Sequence, residues 1–270
     1  MFVPSRLFSR LCRFKFVRNV PFAIRNVHLD AQEKLYPDHI PTTTLQKSLL
    51  AIGSGIACFL HPQRPDLISL FGETSGKSAI KRMQSIMLSD PEGRQILDER
   101  PRIRTNTIDL VSLRNLPPST FGRHYSDFLN NYHYSPDERM MVNFVDDVDL
   151  AYVMLRYREI HDLVHVLLNQ PTNMLGEVVV KWVEGLQCGL PLGLFGGYFG
   201  ALRLAPTQTK NYLSSQLEFA LRVGLHSRNF MCVFFERYWE MDIEELRAKL
   251  NVPNPPKLNY KPRKNKQNLQ

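Results

Sequence analysis

His161 and His165 stand four residues apart in the run His161-Asp162-Leu163-Val164-His165. On a helix that spacing projects both imidazoles from one face, which is how a single helix offers two nitrogen ligands to a metal. Asp162 borders the same face. Glu177 follows beyond the break at Pro171, and a helix–turn–helix hairpin would return it opposite the histidines. Two imidazoles and two carboxylates would then surround one divalent cation. The carboxylates offset its charge, and the donor set suits Zn2+ or another first-row metal better than Ca2+. The residues equally allow a second arrangement, in which the histidines are salt-bridged to Asp and Glu across a helix interface. Asp162 occupies the slot where the zincin motif has its Glu base, and the earlier His and later Asp of HD-type phosphohydrolases are missing. A metal-dependent hydrolase therefore has little beyond the His-Asp pair in its favour. Tyr157, one turn before His161, and Lys181, one turn after Glu177, could hydrogen-bond a ligand or a substrate oxygen. The alternative is a core Tyr157 and an i, i+4 pair between Lys181 and Glu177.

These residues need one long helix and a second packed against it. Over residues 146–165 and just beyond, Leu150, Val153, Met154, Tyr157, Ile160, Val164 and Leu168 recur at helical spacing. Pro171 closes that helix, and a second is predicted over about 172–186. Upstream, prolines and three threonines lead into a helix over 45–60. Its uncharged stretch, 48–60, is too short to cross a bilayer and is expected to be buried. Further helices are predicted over 66–72 and 76–89, on either side of a GETSG turn. A short one opens at Pro91 and ends near Arg100, and two more cover about 214–235 and 240–250. No strand-like alternation or repeat is present. The expected fold is all-α: one helical domain over residues 30–252, with the metal site on a helix–turn–helix pair and disordered termini.

The 270 residues are 43% hydrophobic and 22% charged, the balance of a folded chain rather than a disordered one. The mean hydropathy, −0.26, is too low for a polytopic membrane protein. The net charge of +8 is concentrated at the ends. Residues 1–29 carry six Lys and Arg and no acid, and residues 257–270 carry five and no acid. Taking those eleven from 34 leaves 23, against 26 Asp and Glu, so the body is slightly acidic and no nucleic-acid partner is expected. In residues 1–29 arginines recur between Phe, Leu and Val without the uninterrupted apolar core of a secretory signal, which reads as a mitochondrial transit peptide. Residues 253–270 read as a disordered basic tail. Four scattered cysteines without a CxxC argue against a disulfide framework or zinc–thiolate site and fit a reducing compartment.

YREIHDLVH, followed after eleven residues by Glu177, reads HDxxHx11E and resembles the signature of the coenzyme Q biosynthesis protein 4 family. YPDHIPTTTLQKSLLAIGS, LFGETSG, DPEGRQILDERPRI, FVDDVDLAYVMLRYRE and PTNMLGEVVVKWVEGLQCGLP resemble that family in the same order, over about residues 36–250. The resemblance implies a helical, zinc-binding protein, peripheral on the matrix side of the mitochondrial inner membrane, within a multi-protein complex of coenzyme Q biosynthesis proteins. It implies metal-dependent removal of the C1 carboxyl from 4-hydroxy-3-methoxy-5-polyprenylbenzoate to give 2-methoxy-6-polyprenylphenol, in some accounts with oxygen taking the carboxyl's place. The alternative it carries is a non-catalytic, lipid-binding scaffold that organises the complex. The implied metal ligands are His161, Asp162, His165 and Glu177; no proton donor or base is implied. A polyprenyl lipid also requires apolar surface. The charge-free, glycine-rich stretch 185–202 is either a membrane-dipping or tunnel-lining segment or a glycine-packed pair of core helices.

Overall fold

The structure, a computed structural model, describes residues 34–61 and 64–257. The predicted transit peptide lies outside the described residues, as do residues 258–270 of the predicted tail; residues 253–257 carry no helix. Twelve α-helices follow in chain order: α1 (Thr44–Leu60), α2 (Pro65–Ser75), α3 (Lys77–Ser89), α4 (Pro91–Glu99), α5 (Leu110–Asn115), α6 (Phe121–Tyr132), α7 (Val148–Leu167), α8 (Met174–Cys188), α9 (Pro191–Ala201), α10 (Pro206–Asn211), α11 (Leu217–His226) and α12 (Ile243–Lys249). Among the described residues there is no strand, and a single isolated bridge joins Thr120 to Asp242. The all-α expectation holds.

Local chemistry sets the helix starts. The Thr43 hydroxyl and the Gln46 side chain form a reciprocal capping box on α1. Asp90 caps α4 with Pro91 at its first position. Asp147 accepts from the Asp149 and Leu150 amides to open α7, and Asn173 accepts from the Gly176 amide to open α8.

α7 is the axis of the molecule. It packs against α3, α6 and α8, and every residue from Leu150 through Leu167 is buried. α8 is sandwiched in turn by α9 and α11. The α8–α9 contact depends on glycine: a Cβ on Gly193 would sit 2.7 Å from the Gly185 Cα. Part of the stretch 185–202 is therefore the glycine-packed helix pair. The outer side of α9 nonetheless leaves Phe195, Tyr198 and Leu202 exposed.

Several expectations are corrected. The helix over 45–60 forms but is not buried: Leu45, Leu49, Ile52, Ile56 and Phe59 are all at least half exposed. α1 packs mainly on α2, and the opposite side has no neighbour among the described residues. The GETSG segment does not break α2 early: the helix runs to Ser75 with Gly76 as its cap, and the Thr74 and Ser75 hydroxyls bond to the carbonyls four residues earlier instead of opening a turn. The helix expected over 214–235 stops at His226, where the Ser227 hydroxyl takes the Val223 carbonyl and two 3-10 turns follow. Just before α11, a π turn over Tyr212–Gln216 joins it to α10. α5, α6 and α10 have no counterpart among the predicted helices. In α6 the buried Phe121, Tyr125, Phe128 and Leu129 keep helical spacing behind the Thr120 cap, diluted by the polar residues between them.

Candidate metal centre at the α7–α8 hairpin

The α7 helix ends two residues after His165, at Leu167; Asn169 then adopts a left-handed conformation (φ 49°), and the chain reverses into α8. Gly176 permits the tight return, since a Cβ there would overlap the Pro171 carbonyl oxygen. Glu177, the next residue, thereby faces the histidines. Its Oε1 lies 3.3 Å from Nε2 of His165 and its Oε2 lies 3.5 Å from Nε2 of His161. The two Nε2 atoms are 3.2 Å apart. Donors bound tetrahedrally at 2.0–2.2 Å from one ion are spaced about 3.3–3.6 Å; the three contacts, which use a different Glu177 oxygen for each histidine, fall close to that range.

The hydrogen bonds around the rings strengthen this fit. His161 Nδ1 faces Glu184 Oε1 at 2.6 Å, and His165 Nδ1 faces the Gln170 carbonyl at 3.2 Å. Both partners can only accept. In the neutral rings each Nδ1 therefore carries the proton, and each Nε2 turns a bare lone pair toward the other and toward a carboxylate. Three acceptors converge with no donor among them, which is unfavourable unless a cation or extra protons join them. The electrostatics agree. Burial opposes the His161 imidazolium, but the Glu184 and Glu177 carboxylates together outweigh it and the pKa is raised. Burial likewise opposes ionised Glu177, yet hydrogen bonds and charge attraction from both imidazoles, available once they carry the extra protons, hold it well below the usual carboxylate range. The pocket favours positive charge between these groups.

Three of the four residues singled out in the sequence come together: His161, His165 and Glu177 bring one donor atom each to within 4.8 Å of one another. Asp162 does not join them. It is 3% exposed, and Arg139 grips both its oxygens, with Nε 3.2 Å from Oδ2. The histidines are buried, whereas the Glu177 side chain is 37% exposed. Of the three donors, Glu177 is the one nearest to solvent.

Tyr157 is buried, and its hydroxyl donates to Glu184 Oε2 at 2.8 Å. Lys181 pairs with Glu184 at 2.8 Å rather than with Glu177. Sequence reasoning missed Glu184, Arg139, Gln170 and Phe128, whose ring centroid is 5.9 Å from that of His165. The spacing of Glu184, two turns after Glu177 on one face of α8, was the available signal. Gln170 has no such signal. Its carbonyl meets His165, while its side-chain amide donates to Gln216 in the π turn at 3.2 Å.

Fold and cluster together define a helical protein with a two-histidine, one-carboxylate candidate metal centre in a buried hairpin. The family model described as "Coenzyme Q (ubiquinone) biosynthesis protein Coq4" matches residues 36–256, and the chain belongs to that family. Among curated proteins, "Ubiquinone biosynthesis protein COQ4 homolog, mitochondrial" of Aedes aegypti is 47% identical over 233 residues, covering 83% of this chain and 85% of that one. The protein of the same name from Danio rerio is 48% identical over 223 residues, covering 83% and 82%. That from Rattus norvegicus is 47% identical over 223 residues, covering 83% and 84%. Among solved structures, a Nostoc punctiforme protein superposes with a TM-score of 0.60 at 20% identity, over 76% of this chain and 98% of that one, a likeness of fold. The family places this chain in ubiquinone biosynthesis.

Proposed function

We propose that this protein is a metal-dependent carboxy-lyase of ubiquinone biosynthesis, removing the C1 carboxyl of 4-hydroxy-3-methoxy-5-polyprenylbenzoate to give 2-methoxy-6-polyprenylphenol. The observation that carries this reading is the donor count. A structural zinc site is closed by four protein ligands, whereas a catalytic one has three and an open position. Here three donors converge, the fourth candidate, Asp162, is held by Arg139, and of the three only Glu177 is partly exposed to solvent.

The substrate chemistry suits such a site. The carboxyl is para to a phenol hydroxyl. When C1 takes a proton and the hydroxyl loses its own, the ring becomes a dienone; the bond to the carboxylate then breaks, CO2 leaves, its electron pair restores the aromatic ring as a phenolate, and the phenolate takes a proton to give the phenol. His161, His165 and Glu177 would hold Zn2+ or another first-row ion, which supplies positive charge for a phenolate or carboxylate oxygen. Glu184 and the Gln170 carbonyl fix the two imidazoles, and the walls of α6 and α7 exclude water behind them.

The same proposal places the protein on the matrix side of the mitochondrial inner membrane, peripherally, with other coenzyme Q biosynthesis proteins as partners. No helix among the described residues is long and apolar enough to cross a membrane. Support for a lipid surface comes from α1 and α9. Their exposed apolar faces adjoin where Phe59 meets Phe199 at a 5.4 Å centroid distance, with the Arg203 guanidinium 5.0 Å over the Phe59 ring. That breadth of greasy surface also favours the second reading, a lipid-binding scaffold whose metal is structural.

Product analysis separates the two. The purified, metal-loaded protein is given 4-hydroxy-3-methoxy-5-prenylbenzoate with a short tail, and the products are read by mass spectrometry beside those of Glu177→Ala and His161→Ala. Metal-dependent loss of the carboxyl, absent from folded variants, is the expected result. Wild-type turnover by Glu177→Ala would remove the assignment, and metal bound without product would favour the scaffold.

A further inference from the structure

Glu184 is an acid at the centre that the donor set does not use. It is 5% exposed, and three groups surround its carboxylate. Oε1 meets His161 Nδ1, while Oε2 takes the Tyr157 hydroxyl and the Lys181 ammonium, each at 2.8 Å. These neighbours differ in what they can tolerate. A hydroxyl donates or accepts; an ammonium can only donate. Lys181 therefore demands an acceptor at Oε2, and a carboxylate that satisfies it presents a second acceptor to His161. Nδ1 must then donate, and the Nε2 lone pair is left for the cluster. His165 is set in the same tautomer by the backbone carbonyl of Gln170, which no side-chain change removes. Of the two rings, His161 alone is governed by a replaceable group.

We propose that Glu184, braced by Lys181, is a positioning residue that fixes the tautomer of His161 and so decides whether its Nε2 can bind a metal. The purpose of the device rests on the metal reading above, but the tautomer itself belongs to the metal-free protein and is measurable without any ion.

The geometry makes an unusual demand of Glu184→Gln. The amide has the same shape but one acceptor only. With its oxygen toward His161, its NH2 would point at the Lys181 ammonium, donor against donor. The amide therefore turns round, gives its oxygen to Lys181 and Tyr157, and donates to His161 Nδ1. The ring proton moves to Nε2, and the lone pair turns away from the cluster. Adding Lys181→Met removes the demand. The oxygen can return to His161, and the NH2 can donate to the Tyr157 oxygen. The second substitution should repair the first.

The test is two-bond 1H–15N correlation NMR on the full chain labelled at histidine, stripped of metal with chelator and held above the imidazole titration. His161 is assigned by the signal lost in His161→Asn. The expected results are the Nδ1–H tautomer in the wild type and in Lys181→Met, Nε2–H in Glu184→Gln, and Nδ1–H again in Lys181→Met/Glu184→Gln. In parallel, zinc affinity by chelator competition should fall about 10–100-fold in Glu184→Gln and recover to within a few-fold of wild type in the double variant. Circular dichroism confirms that all four proteins fold. A wild-type tautomer in Glu184→Gln, or a double variant that does not recover, overturns the proposal even if zinc binds well. The expected tautomers with no zinc bound by any of the proteins would uphold the positioning role and overturn the metal reading instead.

Discussion

α7 and α1 are helices of similar length with opposite fates. From Arg156 to His165, α7 carries two arginines, two acids and two histidines, and all are buried. α1 has no charged residue after Lys47, and it leaves Leu45, Leu49, Ile52, Ile56 and Phe59 in solvent. Hydropathy would exchange the two. The charges of α7 are buried because each has a partner. Arg156 takes Glu236 and the Val233 carbonyl; Arg158 takes Glu73; Glu159 takes Arg102 and the Ile103 amide; Asp162 takes Arg139; His161 takes Glu184. Each pair ties another segment of the chain, a loop, a short turn or a neighbouring helix, to the central helix, which orients the two histidines within the hairpin. α1 stays outside because a flat apolar face can be covered only by something apolar, and its outer side has no such cover among the described residues.

The contrast is first testable by stability. Arg156 is fully buried, so Arg156→Met leaves the Glu236 carboxylate and the Val233 carbonyl without their donor. Breaking such a pair costs about 3–5 kcal/mol. A urea titration should show a much lower midpoint with an unchanged slope, and Glu236→Gln on top should recover part of the loss. A change below about 1 kcal/mol would mean that the pairs of α7 behave like surface ion pairs.

Next in size is Gly176→Ala. The new methyl must push the start of α8 off the Pro171 carbonyl, at roughly 1–3 kcal/mol. Because Glu177 is the adjoining residue, zinc affinity should fall with stability, whereas Arg156→Met, a turn and more from His161, should weaken the fold without that specific loss. Equal affinity in Gly176→Ala and wild type would show that the hairpin does not set the donor spacing.

The sequence made the two histidines legible because the i, i+4 spacing on a strongly periodic helix leaves little freedom. It made Glu177 legible because a proline marks where the chain must turn. It could not show that Asp162 belongs to Arg139 or that Lys181 belongs to Glu184. A charge on a helix announces its face, not its partner, and Arg139 comes from a loop that no periodicity orders. The burial of 45–60 was misread for a related reason: apolar composition says that a face wants cover, not that this chain supplies it. α6 was overlooked because four apolar residues among eight others fall below the contrast that helical patterning needs, although Phe121, Tyr125, Phe128 and Leu129 carry it.

A smaller effect is expected where α1 is tied down by charge. Lys47 pairs with Asp146, which also accepts from His39, and Asp146 is 39% exposed. Lys47→Met should cost no more than about 1 kcal/mol, and less in high salt. A thermal melt at low and high ionic strength reads both.

The smallest effect on folding, and the largest on what the protein does at a surface, belongs to the outer stripe of α1. Leu49, Ile52 and Ile56 lie at alternating steps of three and four on one side, each at least 60% exposed. Replacing all three with Gln removes little buried area, and Gln is at least as good a helix former as the residues it replaces. Stability should stay within about 0.5 kcal/mol per site. Sedimentation with vesicles containing anionic lipid should then fall sharply, because apolar area and not charge holds the helix at the interface. Unchanged vesicle binding would move the lipid-facing role to α9 alone. A cooperative loss of stability would instead return α1 to the core that its composition suggested, and the contrast with α7 would disappear.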